Sequence, residues 1–464
     1  MPEQIGDDMV FFRLQQLKEG KIQYTDSSNA LRLMREHGED IRYNAAWKKW
    51  IVWTGKNWQI DEGYLIHERG MRMVRGIYDD VLKTDDYRER MEIEKYAMQS
   101  EAMRRRKAFI EAASLIADLN ITVNDVDKDP WLFNVENGTI ELKTGVFREH
   151  RRGDMITRLA RVSYDGTADC PAWKQFIREI MNYNTDLTGF LQTAAGWALT
   201  GDTSEQTMFI LYGSGANGKS TFLNTLMRIL GDYAIAASTE TFMKKNGEQI
   251  SNDIARLRGT RFVTTAEAEQ GKRLSEPLIK QITGNDAMTA RFLYGEFFDF
   301  VPTFKIFMAT NHKPMIRGTD HGIWRRIKLI PFTTTITAEK QDKHLEEKLI
   351  REGPGILNWL MEGVRRWFAE GLILPPEISS ATEEYRNEMD VLGNFIKECC
   401  IQGPECSVRA RELFRAYQEW CDENNEHACS ERFLSLRLKE LGLERARTAE
   451  ARYWRGIGLK VESS

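Results

Sequence analysis

The apolar positions along this chain change their period several times, and each change predicts an element. Residues 1–30 are polar with no sustained period and read as a loose arm or a short helix. From Asn29, ALRLMREHGEDI has helical spacing and ends at Gly38. The next stretch, YNAAWKKWIVWTGKNWQID, reads strand, turn, strand around Thr54-Gly55-Lys56. Residues 65–120 are rich in Arg, Lys, Glu, Met and Ala and poor in Gly and Pro, which predicts helices. WLFNVENGTIELKTGVFREH alternates apolar and polar residues around Asn137-Gly138 and Lys143-Thr144-Gly145, the pattern of a strand meander closing an N-terminal unit near residue 150. Residues 171–200 return to helical spacing and stop at Gly201. Met208 to Tyr212, Arg261 to Ala266 and Phe304 to Thr310 are short apolar runs of strand length. From about residue 390, two helical stretches, RARELFRAYQEWCDENN and SERFLSLRLKELG, precede a basic, hairpin-like RARTAEARYWRGIGL. These changes of pattern predict an arm (1–30), an N-terminal unit (31–155), a helical collar (156–201), an α/β unit (202–385) and a C-terminal unit (386–464).

Composition narrows the class. With 464 residues, 42% hydrophobic and 29% charged, the chain can bury several cores. Its 65 Lys and Arg against 69 Asp and Glu leave a net charge of −4, so any nucleic-acid surface must be local. No apolar run approaches the roughly 18 residues of a membrane span, and the polar MPEQIGDD lacks the order of a secretory signal, so the protein reads as cytoplasmic with no membrane partner. Cys170 stands alone while Cys399, Cys400, Cys406, Cys421 and Cys429 crowd the tail without a C-x-x-C pair, which reads as free thiols rather than zinc ligands.

Three local features carry an open choice. Trp47, Trp50, Trp53 and Trp58 with Lys48, Lys49 and Lys56 read as core aromatics or as a base-stacking platform. The run Arg104-Arg105-Arg106-Lys107 is a solvated helix face or a phosphate contact, and Asp125-Val126-Asp127 is an acidic loop or a metal pair.

The strongest motif is MFILYGSGANGKSTFLNTLMRIL, an apolar run, then Gly213-x-x-x-x-Gly218-Lys219-Ser220, then a helical stretch. This is a P-loop in the context it needs, so the chain is expected to bind ATP with Mg²⁺. Backbone N–H groups of Gly213, Ser214, Gly215, Ala216, Asn217, Gly218, Lys219, Ser220 and Thr221 surround the phosphates, Lys219 neutralises the outer ones, and the Ser220 hydroxyl ligates the metal. A hydrolase also needs a carboxylate at the end of a neighbouring strand. Glu267 and Glu269 follow Arg261 to Ala266 two residues apart, so an extended chain aims both at the phosphates, or one or both are surface glutamates. Phe304 to Thr310 delivers Asn311 at a strand end, where ligands bind in open α/β sheets. Gly322-Ile323-Trp324-Arg325-Arg326-Ile327 offers Arg325 or Arg326 as an arginine finger toward a neighbouring subunit.

In this order and spacing, LYGSGANGKSTFLNTL, TAEAEQGKRL, LIKQITGNDAMTARFLY, FKIFMATNHKP and GIWRRIKLIPF resemble the superfamily 3 helicases of the poxvirus-type and phage and plasmid primase-helicase family. NGTIELKTGVF and CPAWKQFI extend the resemblance upstream. It implies an α/β P-loop AAA+-like ATPase domain with an α+β N-terminal helicase-associated domain, a helical collar and a C-terminal winged helix. It also implies a homohexameric ring that hydrolyses ATP between subunits and draws single-stranded DNA through its centre, acting on forked DNA. Family DNA contacts come from a hairpin within Thr289 to Phe297, where Gly295-Glu296 stands in place of the usual lysine and Arg291, Lys280 or Lys272 are the substitutes. The upstream stretch is too short for a primase domain, so primer synthesis is left to a separate partner. Arg445, Arg447, Arg452 and Arg455 around Tyr453-Trp454 would form a duplex-binding wing in a tail with eight basic against five acidic residues from Glu431 to Ser464. Two other readings use the same residues: a P-loop ATPase that remodels or senses DNA without processive unwinding, and a DNA-binding scaffold whose nucleotide is structural.

Overall fold

A computed structural model describes residues 24–244, 251–266, 271–292, 297–318, 321–424, 426–447 and 451–460. The arm expected over 1–30 therefore lies largely outside the described residues. The N-terminal unit comprises α1 (Asp26–His37), β1 (Ile41–Asn44), β2 (Lys49–Trp53), β3 (Trp58–Ile60), α2 (Leu65–Val81), α3 (Tyr87–Ser100), α4 (Met103–Ser114) and the short β4 (Asn120–Ile121). Thr25 starts α1 as an N-cap, its hydroxyl accepting from the Ser28 N–H. The four strands form one sheet in the order β3-β2-β1-β4, and Leu33, Ile41, Val52, Met73 and Phe109 meet in its core.

Where the sequence predicts two strands, the chain makes three. Gly55 at φ 99° closes a second turn, in which the Thr54 hydroxyl donates to the Asn57 carbonyl. Trp50, Trp53 and Trp58 are buried, and the Trp58 indole N–H donates to the Arg152 carbonyl at 2.8 Å. Those three are core. Trp47 alone stays half-buried, with the Arg258 guanidinium 5.2 Å over its ring.

The two acidic candidates at 125 and 127 are occupied by their own loops. Asp125 accepts from the Thr122 N–H and hydroxyl and from Lys128, which together hold its pKa down at about 2. Asp127 accepts from the Thr157 N–H and hydroxyl. No group of three or more metal-ligating side chains exists among the described residues. The basic run opens α4, where Arg106 donates to the Glu101 carbonyl and Arg105 lies 4.0 Å from Asp26.

The meander forms as expected, as β5 (Leu132–Val135), β6 (Gly138–Glu141) and β7 (Val146–Arg148). Its core partners differ from those the pattern suggested. Phe133, Val135 and Ile140 pack with the helices and sheet that follow, and Phe133 stacks on Tyr233 at 4.6 Å. The stretch 171–200 divides into α5 (Pro171–Ile180) and α6 (Thr185–Trp197). Asn182 and Tyr183 both take positive φ between them, and the Asn184 side chain caps the second helix through the Asp186 and Leu187 N–H groups.

The central unit contains β8 (Met208–Tyr212), α7 (Lys219–Leu230), β9 (Ala234–Ala236), α8 (Ser251–Ala255), β10 (Phe262–Ala266), α9 (Glu276–Thr283), β11 (Met288–Arg291), β12 (Phe297–Phe300), β13 (Lys305–Thr310), α10 (His321–Trp324), β14 (Ile327–Pro331), α11 (Leu345–Arg351), α12 (Gly353–Glu370) and α13 (Pro376–Met389). Five strands form a parallel sheet in the order β14-β8-β13-β10-β9, while β11 and β12 pair antiparallel as a separate ribbon. Because β8 to β9 crosses two intervening strands and β13 to β14 returns past β8, β8 sits where the strand order reverses, the usual ligand position in such sheets. Both faces are covered: Phe209, Leu211 and Phe307 face one core, Met208, Ile210, Ile306 and Met308 the other.

The tail folds as α14 (Val391–Cys399), β15 (Cys400–Arg409), α15 (Ala410–Glu423), α16 (Glu431–Glu440), β16 (Glu444–Arg447) and β17 (Arg452–Leu459), with an antiparallel sheet in the order β15-β17-β16. Leu413, Tyr417, Leu434 and Trp454 fill its own core. The cysteines are thiols outside any disulfide, and burial pushes the Cys170 thiol up to about 12, so it is not a thiolate near neutrality. No helix among the described residues is long and apolar enough to cross a membrane.

Candidate functional site

The turn after β8 has the geometry its glycines predict. Gly215, Ala216 and Gly218 take φ of 104°, 47° and 85°, a run of left-handed residues that turns successive N–H groups inward as a nest. A Cβ on Gly213 would lie 2.3 Å from the Phe332 carbonyl oxygen, and one on Gly218 would lie 2.4 Å from Ile180. Gly213 therefore requires glycine for space, and Gly218 for space as well as for backbone freedom.

Lys219, buried at the start of α7, directs its ammonium back over this loop. Nζ donates to the Gly213 carbonyl at 2.8 Å, to Asn217 Oδ1 at 2.9 Å and to Asn311 Oδ1 at 3.3 Å. Asn217 is itself held, its Nδ2 donating to the Phe332 carbonyl at 3.2 Å. The lysine thus joins the loop after β8 to the end of β13, and Asn217 joins both to the end of β14.

Beside the cradle a cleft of about 480 Å³ is lined by Ser220, Asn224, Thr239, Glu240, Thr265 and Ala266. Ser220 and the end of β10 both line it. The Thr265 hydroxyl is buried there without a hydrogen-bond partner. Glu267 and Glu269, which follow, lie outside the described residues.

The two arginines separate. Arg326 is 8% exposed and donates to Thr283 Oγ1, the Gly322 carbonyl and Gln206 Oε1 at 3.0, 2.5 and 3.4 Å. Arg325 is exposed and donates to the same Gln206 oxygen at 2.5 Å. Both precede β14, whose Ile327 pairs with Met208 and whose Pro331 pairs with Tyr212. They stand at the amino end of the sheet and the cradle at the carboxyl end, so at about 3.3 Å per residue the strand alone separates them by more than 13 Å. Gln206, which fixes both guanidinium groups, carried no motif by which the sequence could have marked it.

The DNA candidates also divide. Arg291 ends β11 with its guanidinium 4.8 Å over the Phe297 ring, on the ribbon where the resemblance placed the contact; the tip residues Gly295 and Glu296 lie outside the described residues. Lys272 is on the cradle side, 3.2 Å from Glu240, and Lys280 lies in α9. In the tail the register sets Arg445 opposite Trp454 and Arg447 opposite Arg452, which puts Arg445, Arg447 and Arg452 on one face of the hairpin. Arg455 pairs with Glu444 on the other face, and Trp454 is buried.

Residues 30–182 match the family model described as D5 N terminal like, and residues 211–326 match one described as a family of unknown function. A protein called "Putative helicase" in Acanthamoeba polyphaga mimivirus is 28% identical over 344 residues, 69% of this chain and 36% of its own length. A "Putative helicase" of Frog virus 3 is 24% identical over 258 residues, 51% of this chain and 26% of its own length. A "Putative primase" of African swine fever virus is 23% identical over 350 residues, 69% of this chain and 36% of its own length. The chain spans about a third or less of these relatives. Among solved structures, the apo NrS-1 C-terminal region superposes with a TM-score of 0.50 at 8% identity, covering 90% of this chain and 96% of that one, a likeness of fold alone.

Proposed function

We propose that this chain is the motor part of an ATP-dependent DNA helicase that works as a ring. The observation that carries the reading is the convergence of the Gly213 to Ser220 loop, Lys219 and Asn311 at the carboxyl ends of adjacent parallel strands. The fit to a nucleotide is chemical: a glycine-rich turn of left-handed residues and a buried ammonium suit phosphates, and Ser220 lining one cleft with the end of β10 suits Mg²⁺. Bound Mg²⁺ would neutralise charge on the phosphates. Within the chain, Lys219 binds the outer phosphates, Asn311 orients the group being attacked, and Glu267 and Glu269 hold the metal and the attacking water.

The position of Arg325 supports the ring. An exposed guanidinium at the sheet end remote from its own cradle can meet a phosphate only on another subunit, whereas Arg326 is held within its own chain. That favours Arg325 as the finger in trans. The ribbon of β11 and β12, bearing Arg291, is the contact to single-stranded DNA. The tail, with its order of helix, strand, two helices and two strands, is a winged helix whose hairpin meets duplex.

The test is displacement of a labelled strand from forked DNA. Wild-type protein should hydrolyse ATP and separate the strands, and Lys219→Ala should lose both by at least 100-fold. Hydrolysis stimulated by DNA without displacement would favour a remodelling ATPase over a helicase. Absence of hydrolysis in the wild type would leave the nucleotide as structural.

A further inference from the structure

A second cleft, larger than the one beside the cradle, lies away from the nucleotide site. It holds about 890 Å³ and opens between the N-terminal sheet, the β9 and α8 region and the ribbon of β11 and β12. Its size is at the upper end of the about 300–1,000 Å³ typical of ligand clefts. No motif of the ATPase accounts for it.

Its walls have a composition unlike the rest of the chain. Five lining side chains are cationic and two, Glu62 and Asp232, are acidic, in a protein whose net charge is −4. Lys48 and Arg256 are exposed on this surface, and Arg258 lies over the Trp47 ring. Across from Trp47, Phe292 stacks on Phe298 with ring centres 5.5 Å apart, and Phe292 is 39% exposed. An aromatic left in water on a cationic wall is the pairing that binds unpaired bases: rings take the base faces and ammonium or guanidinium groups follow the phosphates.

We propose that this cleft is a second binding site for single-stranded nucleic acid, apart from the ribbon contact, with Trp47 and Phe292 as stacking surfaces and Lys48 and Arg256 on the backbone. A duplex cannot use it, because paired bases offer no free face to the rings. The cleft adjoins the ribbon through Phe292 and Phe298, so a strand held by Arg291 can continue into it. This inference rests on the reading of the chain as a DNA motor, and it gives a role to Trp47, the tryptophan of the N-terminal cluster that packs against the core yet stays partly exposed in the cleft.

The test is photocrosslinking of an oligothymidylate carrying 5-iodouracil to the full-length protein, with peptide mapping, alongside fluorescence anisotropy over a salt series. Crosslinks are expected on the peptide containing Trp47. The double reversal Lys48→Glu with Arg256→Glu should abolish them, lower affinity at least 10-fold and reduce the salt slope by about 1.4, at about 0.7 per lost phosphate contact. Phe292→Ala should weaken binding about 5- to 150-fold. ATP hydrolysis without DNA should be unchanged in the double reversal. Unchanged affinity and slope in the double reversal would overturn the proposal, as would crosslinks confined to other peptides. Thymidine monophosphate competing as well as the oligonucleotide would overturn it in favour of a free-nucleotide site. Wild-type protein that hydrolyses ATP yet leaves Trp47 unlabelled would sink the cleft alone, whereas protein that neither hydrolyses ATP nor binds the strand would sink the motor reading.

Discussion

Lys305 begins the strand that delivers Asn311, and it is 1% exposed. Its ammonium donates to the Thr200 carbonyl at 2.5 Å, the Thr200 hydroxyl at 3.2 Å and the Thr303 carbonyl at 3.4 Å, and it lies 4.8 Å over the Trp197 ring. No carboxylate is bonded to it, and burial together with neighbouring Arg261 holds its pKa well below the ordinary lysine value. Replacing it with Met removes a desolvation penalty of several kcal/mol but leaves carbonyls without a donor, at about 1–3 kcal/mol each. Those terms nearly offset, so the absolute change at one pH decides little. The pH dependence is sharper. The unfolded lysine binds its proton up to about pH 10.4, while the folded one releases it earlier, so the penalty is full below the folded pKa and vanishes as pH rises through the unfolded value. Between the two, wild type should gain on Lys305→Met by about 1.4 kcal/mol per pH unit. Guanidinium denaturation followed by tryptophan fluorescence at pH 7, 8, 9 and 10 measures this difference. A difference that stays flat across the series would mean that the folded lysine keeps an ordinary pKa, and the argument would fail.

Three further predictions concern arginines. Arg325→Ala should unfold within about 0.5 kcal/mol of wild type yet lose hydrolysis by 10³-fold or more, and mixing it with Lys219→Ala subunits should restore part of the activity; full turnover by Arg325→Ala alone would refute a finger there. Arg326→Ala should instead cost about 2–4 kcal/mol of stability, because it strips Thr283, Gly322 and Gln206 of a buried donor, and a denaturation midpoint unchanged from wild type would contradict that. In the tail, the triple replacement of Arg445, Arg447 and Arg452 by Ala should weaken duplex binding and lower its salt slope by about 2.7, with Arg455→Ala nearly silent; an equal loss for Arg455→Ala would show that the hairpin face is misassigned.

The cradle was legible because its chemistry is local. Gly213 to Ser220 must be contiguous to form a nest, so strand, glycine turn and helix are written consecutively, and the same holds for the hairpin of β16 and β17. Long-range partnership was not legible. Asn182 and Tyr183 interrupt a stretch that has helical spacing on both sides, and only their positive φ shows the break. Whether Arg325 or Arg326 is exposed depends on the packing of α9 and on Gln206, more than a hundred residues upstream. The meander carries correct strands but a misleading address, since Phe133 and Ile140 are apolar whichever core they enter. One signal was present and unread: Arg261 and Lys305 are single charges opening apolar strands, and a cation there needs acceptors from elsewhere.

Those acceptors explain how collar and sheet are joined. Arg261 donates to the Leu199 and Leu132 carbonyls at 2.5 and 2.7 Å, so one guanidinium ties the end of the collar and the meander to the amino end of β10. Lys305, paired with Phe262 in the adjacent strand, ties Thr200 to the amino end of β13. On the collar itself α6 crosses α12 at backbone contact: a Cβ on Gly363 would lie 2.2 Å from the Gln192 carbonyl oxygen, and one on Gly196 would lie 2.5 Å from the Gly363 carbonyl carbon. The Gln192 side chain then donates to the Trp359 carbonyl at 2.9 Å. A collar closed by a helix from beyond the sheet, and anchored to two sheet strands by buried cations, cannot shift without exposing unpaired carbonyls. The ribbon of β11 and β12 is a separate two-stranded pair, but its Met288, Ala290, Phe298 and Phe300 enter the same core as Met208, Ile306 and Met308 of the sheet. The proposed motor would therefore join the ribbon that carries Arg291 to the sheet through apolar packing, where the collar is joined through buried cations.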